Sequence, residues 1–157
     1  MSKFRPIEGS YEAGDAKLAI VASRWNGEIT DSLLRGALAA LERQGVTDDN
    51  ILVLRVPGAF ELPLAAQKAA NTGRIDGIIA LGCVIRGDTP HFDYVCNECT
   101  RGLGQVSLDR GIPVGFGLLT CDDLAQARAR SGDDRENKGE EAALTVLEML
   151  SLLKKVR

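Results

Sequence analysis

Residues 77–94, GIIALGCVIRGDTPHFDY, decide the fold. Ile78, Ile79, Ala80, Leu81, Cys83, Val84 and Ile85 form a nearly unbroken apolar run, rich in β-branched side chains and too short to span a membrane. Such a run reads as a strand buried on both faces, the habit of parallel sheets. It stops at Arg86-Gly87-Asp88, and the spacing predicts a helix beyond, with Thr89 as N-cap and Pro90 at the first helical position, where a missing N–H costs nothing. Strand, glycine turn and helix start together offer free N–H groups and a positive dipole end, which suit phosphate or carboxylate. The same order also serves as plain chain punctuation. His91, the one histidine, falls in that first turn, where a proton-shuttling imidazole and a structural one are both open readings.

Outward from this stretch the pattern repeats. Lys17 to Ser23 (KLAIVAS) reads as a first buried strand ending at Arg24-Trp25-Asn26-Gly27, and Ile29, Leu33, Leu34, Ala37, Leu38 and Leu41 then make one helical stripe that Gly45 stops. Ile51 to Val56 is a second strand, broken at Pro57-Gly58-Ala59, with Phe60-Glu61-Leu62-Pro63 opening a helix to about Thr72. Gly102 and Gly104 interrupt the third helix, a pattern expected where close packing is needed. Val114 to Thr120 is a fourth strand, followed by a short helix from Asp122 to Arg130. Asn137 with Glu140 three residues on signals the last helix, which runs to about Lys154 and is apolar on more than one side, so a second subunit is expected against it. Alternating strands and helices predict a three-layer α/β/α sandwich on a four-stranded parallel, doubly wound, flavodoxin-like sheet with right-handed crossovers.

Composition narrows the function classes. A chain of 157 residues that is 45% hydrophobic fits a single domain, preceded here by a polar arm over residues 1–16 that is either disordered or ordered on a neighbour. A net charge of −3 argues against a nucleic-acid or membrane-surface binder, and the first residues lack a signal-peptide core, so the chain reads as cytoplasmic. Cys83, Cys96, Cys99 and Cys121 do not form a disulfide framework. Cys96-Asn-Glu-Cys99 sits in a helical pattern and reads as packing before redox or metal chemistry.

In a doubly wound sheet, ligands bind beyond the carboxyl ends of the strands. That gathers Trp25 and Asn26, Ala59 to Glu61, and Arg86 to His91, with Phe116 inside strand four, and the aromatics among them suit a planar ligand. Arg130 is a candidate phosphate cation with bidentate geometry. Lys138 and Glu141, three apart, read either as an ion pair or as a lysine offered to a carbonyl oxygen.

Taken in order, Arg24-Trp25-Asn26, Pro57 to Pro63, Gly82 to Asp93, Pro113 to Thr120 and Asn137-Lys138-Gly139 resemble the 6,7-dimethyl-8-ribityllumazine synthase family, from about Lys17 to the end of the last helix. The resemblance implies condensation of 5-amino-6-(D-ribitylamino)uracil with 3,4-dihydroxy-2-butanone 4-phosphate, without metal or organic cofactor, at sites shared between subunits of a pentamer-based homo-oligomer. It further implies that the pyrimidine stacks on Trp25, that Asn26, Ala59, Phe60, Glu61, Val84 and Ile85 fix the ring and ribityl chain, and that Gly87, Asp88 and Thr89 hold the phosphate. His91 would shuttle protons, Phe116, Arg130 and Lys138 would come from the neighbouring subunit, and Glu141 would be a further substrate-binding residue. One departure stands out: Asp133-Asp134-Arg135-Glu136 replaces the small glycine-containing turn usual before Asn137.

A flavin-binding relative of the same fold, holding riboflavin or FMN without catalysis, is the rival reading. A receiver-like signalling domain is disfavoured, because Trp25-Asn26 and Arg86-Gly87 stand where its acidic and phosphorylated residues belong.

Overall fold

A computed structural model describes residues 3–133 and 136–156. The apolar runs become four strands, β1 (Leu18–Ser23), β2 (Ile51–Val56), β3 (Gly77–Ile85) and β4 (Val114–Cys121). They form one parallel sheet in the order β2-β1-β3-β4, so the two longest strands lie side by side. The helices are α1 (Gly27–Arg43), α2 (Leu62–Asn71), α3 (His91–Arg110), α4 (Leu124–Ala129) and α5 (Lys138–Lys155).

Each buried strand serves two cores because alternate side chains leave opposite faces. In β3, Ile79, Leu81 and Cys83 pack with Leu33 and Leu41 of α1 and Val146 and Leu147 of α5. Ile78 and Ala80 pack on the other face with Leu62 and Ala66 of α2 and Cys99 and Leu103 of α3. These two cores are the three-layer sandwich expected from the alternation. β2 is an edge strand, with Leu52 and Val53 partly exposed.

Local signals set most boundaries. Asn137 caps α5, its Oδ1 accepting from the N–H of Gly139 at 2.9 Å and of Glu140 at 3.1 Å. The reciprocal half of the expected capping box is absent, because the Glu140 carboxylate accepts from Arg43 Nη2 at 2.8 Å instead. The start of α3 also differs from expectation. Pro90 is the N-cap and His91 the first helical residue, while Thr89 Oγ1 accepts from the His91 N–H at 3.4 Å, a Ser/Thr turn that delays the helix by one residue. Between β2 and α2, residues Ala59–Glu61 form a 3₁₀ turn before the α-helix begins.

The outer residues of α5 are partly accounted for within the chain. Ala142, Ala143, Val146 and Leu147 are buried, whereas Met149 and Leu153 stay partly exposed. Residues 8–10 run beside this helix: the Ser10 N–H donates to Ser151 Oγ at 3.1 Å and Lys155 Nζ donates to the Glu8 carbonyl at 2.8 Å. This part of the polar arm therefore touches its own chain. Gly102 lets α3 approach α2, since a Cβ there would stand 2.7 Å from Pro63 Cβ, but Gly104 faces open space.

All four thiols are buried and unpaired. Burial pushes Cys83 and Cys99 up to about 12 and raises Cys96 and Cys121 as well, so the Cys96–Cys99 pair carries little thiolate at neutral pH. Of the charged turn before α5, Asp134 and Arg135 lie outside the described residues. Among those described, no helix is long and apolar enough to cross a membrane.

Candidate active site

Beyond the carboxyl ends of β1, β2 and β3, the backbone itself builds the first set of candidate groups. The Arg24 N–H donates to the Val56 carbonyl at 2.8 Å and the Trp25 N–H to the Pro57 carbonyl at 3.0 Å, which staples the ends of β1 and β2 together. Asn26 follows with φ of 60°, the only non-glycine residue in the left-handed region among those described. That conformation costs on the order of 1 kcal/mol and is held by what surrounds it. Asn26 Nδ2 donates to the Cys83 carbonyl at 2.8 Å, and its own carbonyl accepts from Ile29 and Thr30 at the start of α1. One residue thus ties β1, β3 and α1.

Trp25 is 63% exposed, with its ring lying against Gly58. A Cβ at Gly58 would collide with the six-membered part of the indole, so only glycine lets the ring lie there. Glu61 turns back to accept from the Gly58 N–H at 3.2 Å, and Ala59 is buried beneath this turn. Phe60, next to Ala59, is exposed and also borders a groove between α2 and α3 with Pro63, Leu64 and Arg101. At the end of β3, Val84 and Ile85 are half-buried, while Gly87, Asp88, Thr89 and His91 are exposed. A Cβ at Gly87 would meet nothing within 4 Å, so the chain's own packing does not demand glycine there.

The second set lies along the free edge of β4. Phe116, Thr120, Gln126, Arg130 and Lys138 line a cleft of about 350 Å³. The Lys138 N–H donates to the Arg130 carbonyl at 2.9 Å, next to a bridge between Ser131 and Asn137, so the two cations are neighbours by backbone pairing. Arg130 Nη1 donates to the Gln126 carbonyl at 2.9 Å, and among the described residues its guanidinium pairs with no carboxylate. Lys138 Nζ is 2.8 Å from Glu136 and 3.2 Å from Glu141. Hydrogen bonds to these two carboxylates raise the Lys138 ammonium above its ordinary value, and Lys138 holds Glu136 below the usual carboxylate range. Both readings of the Lys138–Glu141 spacing survive, with the ion pair formed and the ammonium still at the cleft wall.

The structure therefore brings together Trp25, Asn26, Ala59 and Glu61 at the ends of adjacent strands, and separately Phe116, Arg130 and Lys138. None of the strand-end residues, nor His91, lines the β4 cleft. The sequence reading gathers Arg86 with the strand-end residues but names neither Asp122 nor Gln126 as a participant. Arg86, Asp122 and Gln126 are joined at the junction of β3, β4 and α4, with Arg86 Nε donating to Asp122 Oδ1 at 2.9 Å and the Asp122 N–H to Gln126 Oε1 at 2.7 Å. No local signal marks Asp122 and Gln126, whose partner Arg86 is 36 residues before Asp122.

These features, a planar aromatic at a strand end, an open glycine turn before a helix, and a cationic cleft at the sheet edge, fit a flat ring beside a phosphate. The family model for 6,7-dimethyl-8-ribityllumazine synthase matches residues 15–154, which takes in all four strands, α1 to α4, all but the last residue of α5 and both sets of candidate groups. The chain belongs to the 6,7-dimethyl-8-ribityllumazine synthase family, the transferases of riboflavin biosynthesis that condense 5-amino-6-(D-ribitylamino)uracil with 3,4-dihydroxy-2-butanone 4-phosphate.

Proposed function

We propose that the active site forms between two copies of the chain, one giving the strand-end groups and the next giving Phe116, Arg130, Lys138 and Glu141, within a cytoplasmic homo-oligomer built on pentamers. The observation that carries this reading is the separation of the two sets in one chain: the cationic cleft at the β4 edge holds no strand-end residue. In the joined site the uracil ring stacks on the exposed Trp25 indole, and Phe116 of the neighbour closes over it. Asn26, Ala59, Glu61 and the backbone of Val84 and Ile85 meet the ring and its ribityl hydroxyls. The open turn Gly87-Asp88-Thr89 and Arg130 enclose the phosphate, with the glycine leaving room for an oxygen to reach the backbone.

In this arrangement the uracil amine attacks the ketone, an imine forms with loss of water, phosphate leaves, and the second ring closes with loss of another water. His91, exposed at the start of α3, carries protons between these steps, and Arg130 stabilises the departing phosphate. Lys138, with Glu141 orienting it, meets an oxygen of the ring. Much of the acceleration comes from holding two reactants in one oriented complex.

The test is a spectroscopic assay with both substrates, following the lumazine absorption, with Arg130→Ala as comparison. Wild-type protein forms product, and in Arg130→Ala the KM for the butanone phosphate rises on the order of 100-fold, as expected for loss of a charge-assisted contact. An unchanged KM for that substrate counts against the phosphate role of Arg130. The exposed Trp25 ring also supports riboflavin as a ligand of the same pocket. Quenching of Trp25 fluorescence by riboflavin without product formation would make flavin holding the better reading.

A further inference from the structure

Arg86 is the residue at which β3 gives way to the Gly87–Thr89 turn, and its polar groups are engaged on several sides. Its N–H donates to the Cys121 carbonyl at 2.9 Å, and its Nε donates to Asp122 Oδ1 at 2.9 Å. Nη1 stands 3.6 Å from Asp93 Oδ1, and the guanidinium carbon is 4.4 Å from the centroid of the Phe92 ring. These contacts reach the end of β4, the turn before α4 and the first turn of α3. The line continues past Asp122, whose N–H donates to Gln126 Oε1 at 2.7 Å, and Arg130 Nη1 donates to the carbonyl of the same glutamine at 2.9 Å. Hydrogen bonds thus run from the residue that opens the turn to the guanidinium at the β4 cleft.

We propose that Arg86 is a positioning residue for phosphate recognition, holding the Gly87–Thr89 turn by its contacts to the end of β4 and the first turn of α3, and Arg130 through Asp122 and Gln126. This rests on the reading above, in which the turn and Arg130 are the groups that meet phosphate. Arg86 is not itself the phosphate ligand. Its charge is matched by two carboxylates, and one face of its guanidinium is covered by Phe92. Because Arg130 serves the neighbouring site, one clasp sets the turn of one site and the cation of the next. A lysine in its place keeps the charge but loses the planar fork that spans Asp93 and Asp122 while resting on the ring.

Asp122→Asn decides between the two roles of Arg86, because they predict opposite signs. An Arg86 that binds phosphate would be freed and would bind it more tightly; a broken clasp binds it less tightly. Titration calorimetry with inorganic phosphate and steady-state kinetics with both substrates provide the measurements. Asp122→Asn and Arg86→Lys are each expected to weaken phosphate and raise the KM for the butanone phosphate roughly three- to tenfold, with the uracil KM changed less than about twofold. The double variant is expected to be no weaker than the worse single one, since both break the same line. Tighter phosphate in Asp122→Asn, unchanged affinity in both single variants, or no phosphate binding by the wild type overturns the proposal. Absence of lumazine product from the wild type overturns the catalytic reading alone, because the phosphate titration is scored without turnover.

Discussion

The strand-end half of the site and the β4-edge half are built by opposite means. At the strand ends, position comes from backbone: the Arg24 and Trp25 N–H groups bond across to β2, and Asn26 is locked in a left-handed conformation by Cys83 and α1. At the β4 edge, position comes from long cationic side chains held by other side chains and single carbonyls, with Lys138 between two carboxylates and Arg130 on Gln126. The first half is preorganised, and in the proposed site it would meet the ring at low further entropic cost. The second is adjustable, and in the proposed site its cations would exchange internal partners for a substrate anion.

The largest expected effect tests whether the halves belong to different sites. His91→Ala slows turnover by roughly 100-fold or less without abolishing it, at the low end of general acid–base contributions. Mixing it with Arg130→Ala after dissociation and reassembly should restore activity to about a quarter of wild type, because one in four randomly formed interfaces carries two intact halves. Activity that stays at the average of the two variants would mean both halves serve one chain, and the comparison would break.

A smaller effect probes the preorganised half. Gly58→Ala drives a methyl into the Trp25 ring, so the indole or the Pro57–Ala59 turn must move, at a cost of about 1–3 kcal/mol by analogy with overpacked cores. A shifted Trp25 emission and a raised KM for the uracil substrate, with the butanone phosphate KM nearly unchanged, is the expected pattern. Equal loss for both substrates would show that the two halves are not independent.

The smallest effect concerns the adjustable half. Glu136 lies in the charged turn that distinguishes this chain, and its carboxylate is 2.8 Å from Lys138 Nζ. Glu136→Gln leaves Lys138 with Glu141 alone, and phosphate competition experiments should show roughly threefold tighter anion binding, the scale of one exposed ion pair. Weaker binding would show instead that Glu136 orients Lys138 and does not compete for it.

Much of the fold was legible because its signals are local or periodic. β2 runs from Ile51 to Val56 as expected, since its apolar run is bounded by Asn50 and Pro57, and Asn137 caps α5 through its own side chain. The first turn of α3 was placed one residue early, because Thr89 spends its hydroxyl on the His91 N–H. The capping box at Asn137 was half right, because Arg43 lies 97 residues from Glu140 and claims its carboxylate. Candidate site residues could be named because strand-end positions follow from the alternation of elements. Their partners could not.

The sequence by itself determined four strands, the helices between them, the glycine turn after β3 and the family to which the motifs belong, all from residue type and spacing within short windows. Only the tertiary structure decided that Asn26 bonds to Cys83, that Arg86 is spent on Asp122, and that Arg130 and Lys138 share a cleft apart from Trp25. Those pairings span 57 residues between Asn26 and Cys83 and 36 between Arg86 and Asp122. They depend on β1 and β4 flanking β3 in the sheet, and strand order is set by the packing of both cores at once, which no local pattern of polar and apolar residues specifies.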